Sequence, residues 1–207
     1  MRIDRPPPGE GLSTGEETKP RVAASVMVVR DAEADDGVEV LLVKRNPAAS
    51  FMGGAWVFPG GSVQNGDGGP EGAARRELDE EAGLKLGADQ RLVPFSRWIT
   101  PVEVKTRFDT WFYLAAEPRD GEAECDGEEC VEVRWIHPST ALRAGRRDEM
   151  LLVFPTVKHL ERLADFRSVD HAFAEARGRD VMPILPRVVE RDGAPHVVLP
   201  GEPGYGE

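Results

Sequence analysis

Cysteine is nearly missing from this chain of 207 residues, which has only Cys125 and Cys130. Their spacing fits no common zinc pattern and two thiols make no disulfide framework, so both read as ordinary thiols, with a disulfide inside their short loop as the alternative. Long apolar runs are lacking as well. No stretch approaches the ~18 residues of a membrane helix, and the first residues lack the apolar core of a secretion signal, so the cytoplasm is the expected compartment. Positive charge is also scarce, with 26 Lys and Arg against 37 Asp and Glu and a net charge of −11. That balance excludes nonspecific binding of nucleic acid or anionic membrane, both of which need a basic footprint. A polyphosphate gripped by a few local cations is still compatible with it. His137, His159, His171 and His196 have no spacing that suggests a metal set or a triad, and ordinary polar roles are assigned to all four. With no Ser-His-Asp arrangement and no Walker-type loop, any chemistry has to be metal-assisted.

The chain does have 40% hydrophobic content, enough for one domain that buries about 70% of its unfolded surface. Residues 1–20 include Pro6, Pro7 and Pro8 and almost nothing apolar, a composition that cannot offset ordering entropy, so a mobile arm is expected there. A single domain should span 21–200, with a tail over 201–207. Val-rich runs at 23–29 and 38–43 flank a charged turn ending in Gly37 and read as a hairpin. Further strands are expected at 55–58, 92–99, 107–115 and 131–136, with a helix opening at Pro138 or Ser139. Apolar positions 153, 157, 160 and 164 recur at helical steps, and a second short helix should cover 169–177. The turn Arg191-Asp-Gly-Ala suits a terminal hairpin. Strands interleaved with helices indicate a mixed sheet with helices on its faces. Trp98, Trp111 and Trp135 fall in predicted strands and read as core packing.

The informative stretch runs from Phe58 to Leu84. Phe58-Pro-Gly-Gly61 lets backbone approach a ligand closely, making Gly60 and Gly61 candidate substrate contacts. A helix is predicted from Pro70 and Glu71, which suit a first turn, to Ala82, with Gly83 ending it. At about 100° per residue, Glu77, Glu80 and Glu81 share one flank beside an apolar stripe of Ala74, Leu78 and Ala82. Three carboxylates together repel one another and raise one another's pKa, and a divalent cation cancels that repulsion. Hard oxygen ligands select Mg²⁺ or Mn²⁺, which takes its remaining ligands from water and phosphate. A solvated acidic face is the alternative.

The run Arg76-Glu-Leu-Asp-Glu-Glu-Ala-Gly-Leu84 resembles the core of the Nudix box, Arg-Glu-U-x-Glu-Glu-x-Gly-U with U aliphatic, at every fixed position. The resemblance implies an α/β fold, the Nudix α/β/α sandwich around a mixed sheet, with extra C-terminal helices over about 155–180 and a terminal hairpin. It also implies hydrolysis of a nucleoside diphosphate linked to another group, with Mg²⁺ or Mn²⁺ at Glu77, Glu80 and Glu81 and a backbone carbonyl of Gly60 or Gly61. Asp67 departs from the pattern: it stands where the family has Glu, in a loop one residue longer, and receives no metal role. Val40-Leu-Leu-Val-Lys-Arg45, Gly54, Trp98-Ile-Thr-Pro101, Arg107-Phe-Asp-Thr110 and Pro155-Thr156 are similar to the coenzyme A and acyl-coenzyme A diphosphatases. That branch has a second Arg where this chain has Ser50. ADP-ribose or a nucleotide sugar is the second reading, and a non-catalytic nucleotide sensor the third. Arg45 and Arg107 could grip phosphate, with Lys44 or Lys105 as point charges. Arg76 is expected to orient the acids, and Glu129, ahead of Glu132, to supply a downstream acid. Beyond a nucleotide, the partner expected by resemblance is a second copy of the chain.

Overall fold

The structure, a computed structural model, describes residues 18–33 and 37–206. Most of the arm expected over 1–20 lies outside the described residues, as does the centre of the turn before Gly37. The last residues of that arm are tied down: the Thr18 hydroxyl donates to the Lys105 carbonyl at 2.8 Å.

β1 (Arg21–Asp31) is the spine of the sheet, and Ala23 to Val29 are all buried. Burial of consecutive residues requires cover on both faces of the strand. β6 (Phe108–Ala116) runs parallel to β1 from the Arg21–Phe108 pair to Val29–Ala116, and β5 (Val93–Ile99) lies antiparallel outside it. On the other edge, β1 meets β2 (Val38–Arg45) only at Val29–Asp31. The two strands then part, and the segment 56–62 fills the wedge between them. β3 (Trp56–Val57) pairs with Val43 and Lys44 of β2, and β4 (Gly60–Ser62) pairs with Ala23 to Ser25 of β1. β7 (Cys130–Ile136) also pairs with β2, and β8 (Pro183–Ile184) runs parallel to β5. The sheet is mixed, as the resemblance implies. β8 was not foreseen, since Pro183, like Pro186 just beyond the strand, read as a helix breaker.

Alternate residues of β1 serve two cores. Ala24, Val26 and Val28 pack with Ala73, Ala74, Leu78 and Ala82 of α1 (Pro70–Ala82). On the other face, Met27 and Val29 share a cluster with Leu160, Leu163 and Phe173, from α3 (Phe154–Leu163) and α4 (Val169–Arg177). α2 (Pro138–Arg146) contributes Ala141 to the same face. β9 (Arg187–Arg191) and β10 (Ala194–Val198) form the terminal hairpin, turned by Asp192 and Gly193 at φ 53° and 72°, the left-handed pair that suits a two-residue turn. No helix among the described residues is long and apolar enough to cross a membrane.

α3 carries His159 into the core, where Nδ1–H donates to the Pro155 carbonyl and Nε2 accepts the Ser96 hydroxyl, both at 2.6 Å. The tautomer follows from Pro155, whose carbonyl can only accept. Rings of Phe58, Phe95, Trp98 and Phe112 surround the imidazole. Burial pushes its pKa down to about 4, against the opposing Pro155 bond. The unfolded chain therefore takes up this proton first. Stability held above pH 6.5 is lost as pH falls toward 4, by up to about 1.4 kcal/mol per pH unit. His159→Gln should cost stability at pH 7, with the gap to wild type narrowing through pH 6 and 5 in denaturant titrations; a gap independent of pH refutes the assignment.

Candidate active site

α1 begins with Pro70 and ends at Gly83, whose φ of 65° and N–H bond to the Asp79 carbonyl form a left-handed cap. Its small apolar stripe lets the helix lie close to β1 and β4, which brings its carboxylates into the wedge. Glu81 is 1% exposed and Glu77 7% exposed. The Gly60 N–H donates to Glu81 Oε2 at 2.9 Å. Gly61 is required by close approach: a Cβ there would lie 2.3 Å from Glu77 Oε1. Glu80 is more open, its side chain 58% exposed, and shares the Arg76 Nη1 donor with Glu77. Glu80 and Glu81 sit about 100° apart on the helix, and the docked face covers only one of them.

Arg76 organises this flank. It donates to both oxygens of Asp67 at 2.8 and 3.1 Å, to Glu77 at 2.8 Å, to Glu80 at 2.7 Å and to the Ser62 carbonyl at 3.2 Å. Asp67 also accepts the Gln64 N–H at 2.7 Å, and the Arg76 guanidinium holds its carboxyl below the usual range. Burial pushes Glu77 up despite Arg76, and the charges of Glu80 and Glu129 add to the rise. Burial pushes Glu81 up to about 7, opposed by the Gly60 N–H, with the Glu77 charge adding to the rise and Arg45 opposing it.

Arg45, at the end of β2, places Nη1 3.6 Å from Glu81 Oε1. Its ladder partner is Cys130, a buried thiol raised by burial and by the Glu81 charge. Glu129 precedes Cys130 on a stitched loop. The Asp126 carboxylate accepts the N–H groups of Glu128, Glu129 and Cys130 at 3.2, 3.0 and 2.8 Å. Asn46 donates its N–H to the Glu129 carbonyl and its side-chain amide to the Glu128 carbonyl, both at 2.8 Å. Glu132 faces away, paired with Lys44 and Arg134.

Arg107 does not join this cluster. It is 4% exposed and donates to the carbonyls of Thr100 and Thr18 at 3.1 and 2.7 Å. The sequence offered it as a grip for phosphate, whereas this guanidinium is buried against backbone carbonyls. Trp98 is buried, whereas Trp111 and Trp135 are only half-buried beneath the guanidinium groups of Arg97 and Arg30. Sequence reasoning missed Asn46, Asp126 and the role of Asp67. The signal for Asp126 was an Asp four residues before a strand's first residue, a position that suits a side-chain-capped turn.

Among the described residues, no three His, Cys, Asp or Glu side chains converge as a closed metal cage. Two do converge, and Glu81 Oε1 is buried without a hydrogen-bond partner. Mg²⁺ commonly takes one or two carboxylates and completes its shell with water and phosphate. The donor set at Glu77 and Glu81 therefore fits a hard divalent cation.

Buried carboxylates at a glycine turn, on a helix packed against a mixed sheet, define the class: an α/β protein that gathers oxygen ligands on one helix flank. Comparison with known proteins narrows this. Residues 19–157 match the NUDIX domain model, and the chain belongs to the Nudix family. It is 29% identical over 201 residues to human "Acyl-coenzyme A diphosphatase NUDT19", covering 90% of this chain and 52% of that protein. It is also 29% identical over 192 residues to "Putative nudix hydrolase 7" of Caenorhabditis elegans, covering 74% of this chain and 64% of that one. The chain thus spans about half to two-thirds of these curated relatives. A solved NUDIX hydrolase from Alicyclobacillus acidocaldarius superposes with a TM-score of 0.71 at 24% identity, covering 77% of this chain and 97% of that one, a likeness of fold.

Glu81 supplies a test of the electrostatics. Its raised pKa means the fold favours the protonated form, so the stabilising preference present below the usual carboxylate range disappears as pH rises through about 7. In metal-free buffer at pH 8, Glu81→Gln should be more stable than wild type, by on the order of 3 kcal/mol, and the gain should shrink by pH 5. Added Mg²⁺ should raise the melting temperature of wild type only. A variant less stable at pH 8 refutes this account.

Proposed function

We propose that this chain hydrolyses the pyrophosphate bond of a nucleoside diphosphate joined to another group, with coenzyme A or acyl-coenzyme A as substrate, in the cytoplasm. The observation that carries the reaction type is the Glu77–Glu81 pair buried at Gly60 and Gly61 with Arg45 beside it. The substrate reading draws support from the human relative's name and from the Val40–Arg45 and Gly54 pattern. Ser50, where that pattern has a second Arg, departs from it, and ADP-ribose or a nucleotide sugar is the second reading.

A divalent cation held by Glu77 and Glu81, Mg²⁺ or Mn²⁺, would neutralise phosphate charge and lower the pKa of water toward neutrality. The chain's own groups do the rest. The Gly60 N–H fixes Glu81, and Arg76 fixes Glu77 and Glu80. Among the described residues Arg45 has only long contacts, to Glu81 at 3.6 Å and to the Phe51 carbonyl at 3.4 Å, so its paired N–H donors can turn to phosphate oxygens. Glu129, whose backbone Asn46 and Asp126 hold in place, receives the proton of the attacking water. The water oxygen bonds to phosphorus as the bridging P–O bond breaks, leaving adenosine 3′,5′-bisphosphate and phosphopantetheine.

The experiment is product analysis with Mg²⁺ on coenzyme A, an acyl-coenzyme A and ADP-ribose. Coenzyme A cleavage to those two fragments is the expected result, with Glu129→Gln lowering kcat by about 100-fold or more and leaving KM nearly unchanged. A folded wild-type chain that cleaves none of the three overturns the proposal.

A further inference from the structure

The peptide group between Pro59 and Gly60 is engaged at both ends. Its oxygen accepts the Val26 N–H and the Ser25 hydroxyl, each at 2.9 Å. Its N–H is the one that donates to Glu81 Oε2 at 2.9 Å. Peptide bonds among the described residues are trans, and a trans peptide is planar, with C=O and N–H pointing in opposite directions. Whatever fixes the oxygen end therefore aims the hydrogen end. The Pro59 ring sets its own φ near about −65°, so rotation about the Cα–C bond of Pro59 is the freedom left to tilt the plane, and Gly60 has no side chain to restrain it.

Ser25 is buried, the one polar residue in the apolar run from Ala23 to Val29 of β1. By strand alternation it lies on the side of Met27 and Val29, the face of the sheet opposite α1. A hydroxyl placed there costs desolvation unless it finds an acceptor. It finds the Pro59 carbonyl, with the Phe58 carbonyl at 3.3 Å beside it, while Phe58 itself shares a core cluster with Met27. The turn is pressed onto this serine: a Cβ on Gly60 would lie 2.7 Å from Ser25 Cα and 2.8 Å from its Cβ.

We propose that Ser25 is a positioning residue for Glu81, acting from the opposite face of the sheet through the Pro59–Gly60 peptide. Its hydroxyl and the Val26 N–H pin the carbonyl oxygen, and the rigid plane delivers the Gly60 N–H to Oε2. Bonds accepted by the carbonyl also polarise the amide, which strengthens its N–H as a donor. With Oε2 held in this way, Oε1, which has no hydrogen-bond partner, is left to take a cation. The importance of that orientation rests on the reading of Glu77 and Glu81 as holders of a divalent cation.

The test compares wild type, Ser25→Ala, Ser25→Cys and Ser96→Ala by two readouts at pH 8: the NMR shift of the Gly60 amide proton in metal-free protein, and the Mg²⁺ Kd by calorimetry. Cysteine keeps a side chain of similar shape but donates weakly, and it carries the test should the alanine variant not fold. Ser96→Ala is the control, since it deletes another buried serine hydroxyl, the one bonded to His159. Both Ser25 variants should move the Gly60 amide upfield and raise the Mg²⁺ Kd by about fivefold, the scale of one net hydrogen bond. Ser96→Ala should lower the melting temperature and leave both readouts at their wild-type values. An unmoved Gly60 amide or an unchanged Mg²⁺ Kd in a folded Ser25 variant overturns the assignment, as does a Ser96→Ala variant that shifts both as far. A wild type that binds no Mg²⁺ sinks the metal reading instead, and the Gly60 amide alone then decides the place of Ser25.

Discussion

The contact between the Glu81 carboxylate and the Gly60 N–H is the one on which the other structural features converge. Moving an ionised carboxylate out of water costs several kcal/mol unless hydrogen bonds and opposite charge compensate. Here compensation is partial, with one backbone donor on Oε2 and a guanidinium at 3.6 Å from Oε1. For that donor to be available, β1 and β2 must part so that the segment 56–62 can enter between them. For the helix to bring Glu77 and Glu81 to it, the docking residues must be small, which is the place of Ala73, Ala74 and Ala82. Glycine at 61 is the last requirement, since any side chain would strike Glu77.

The two arginines at the site have different parts, and their hydrogen bonds distinguish them. Arg76 is fully engaged, by Asp67, Glu77, Glu80 and Ser62, and these charge-assisted bonds hold the acidic flank in register. Asp67, on the loop before the helix, is held through both carboxylate oxygens by the fork of Arg76. Arg45 has no contact of comparable strength. In a chain with a net charge of −11, Arg45 thus sets a cation beside the buried carboxylates, with long contacts to Glu81 and the Phe51 carbonyl among the described residues.

Much of this could be read from the residues. α1 was legible to its ends because Pro70, Gly83 and the alanine stripe act locally, and the hairpin at Asp192-Gly193 was legible for the same reason. The carboxylate cluster was legible as a pattern, but which members are buried was not, since that depends on the angle at which the helix meets the sheet. β3 falls within the strand expected at 55–58, whereas β4, of three residues, is too short for periodicity to reveal. Arg107 misled because a charge at a strand end looks exposed until the carbonyls of Thr18 and Thr100 are placed around it. Cys130 beside Glu81, and Ser96 beside His159, are neighbours only after the sheet has formed.

The parallel pairing of β1 with β6 has a consequence for how the chain is made. β1 is a Val-rich strand, and the long edge it shares with β6 has no partner until Phe108 to Ala116 have left the ribosome. The whole glutamate helix has been synthesised by then, yet it has no completed sheet to lie on. Pairings between such distant segments form slowly, and open apolar strands invite aggregation meanwhile. A nascent chain stalled before β6 would carry every residue of the acidic motif and still lack a working pocket.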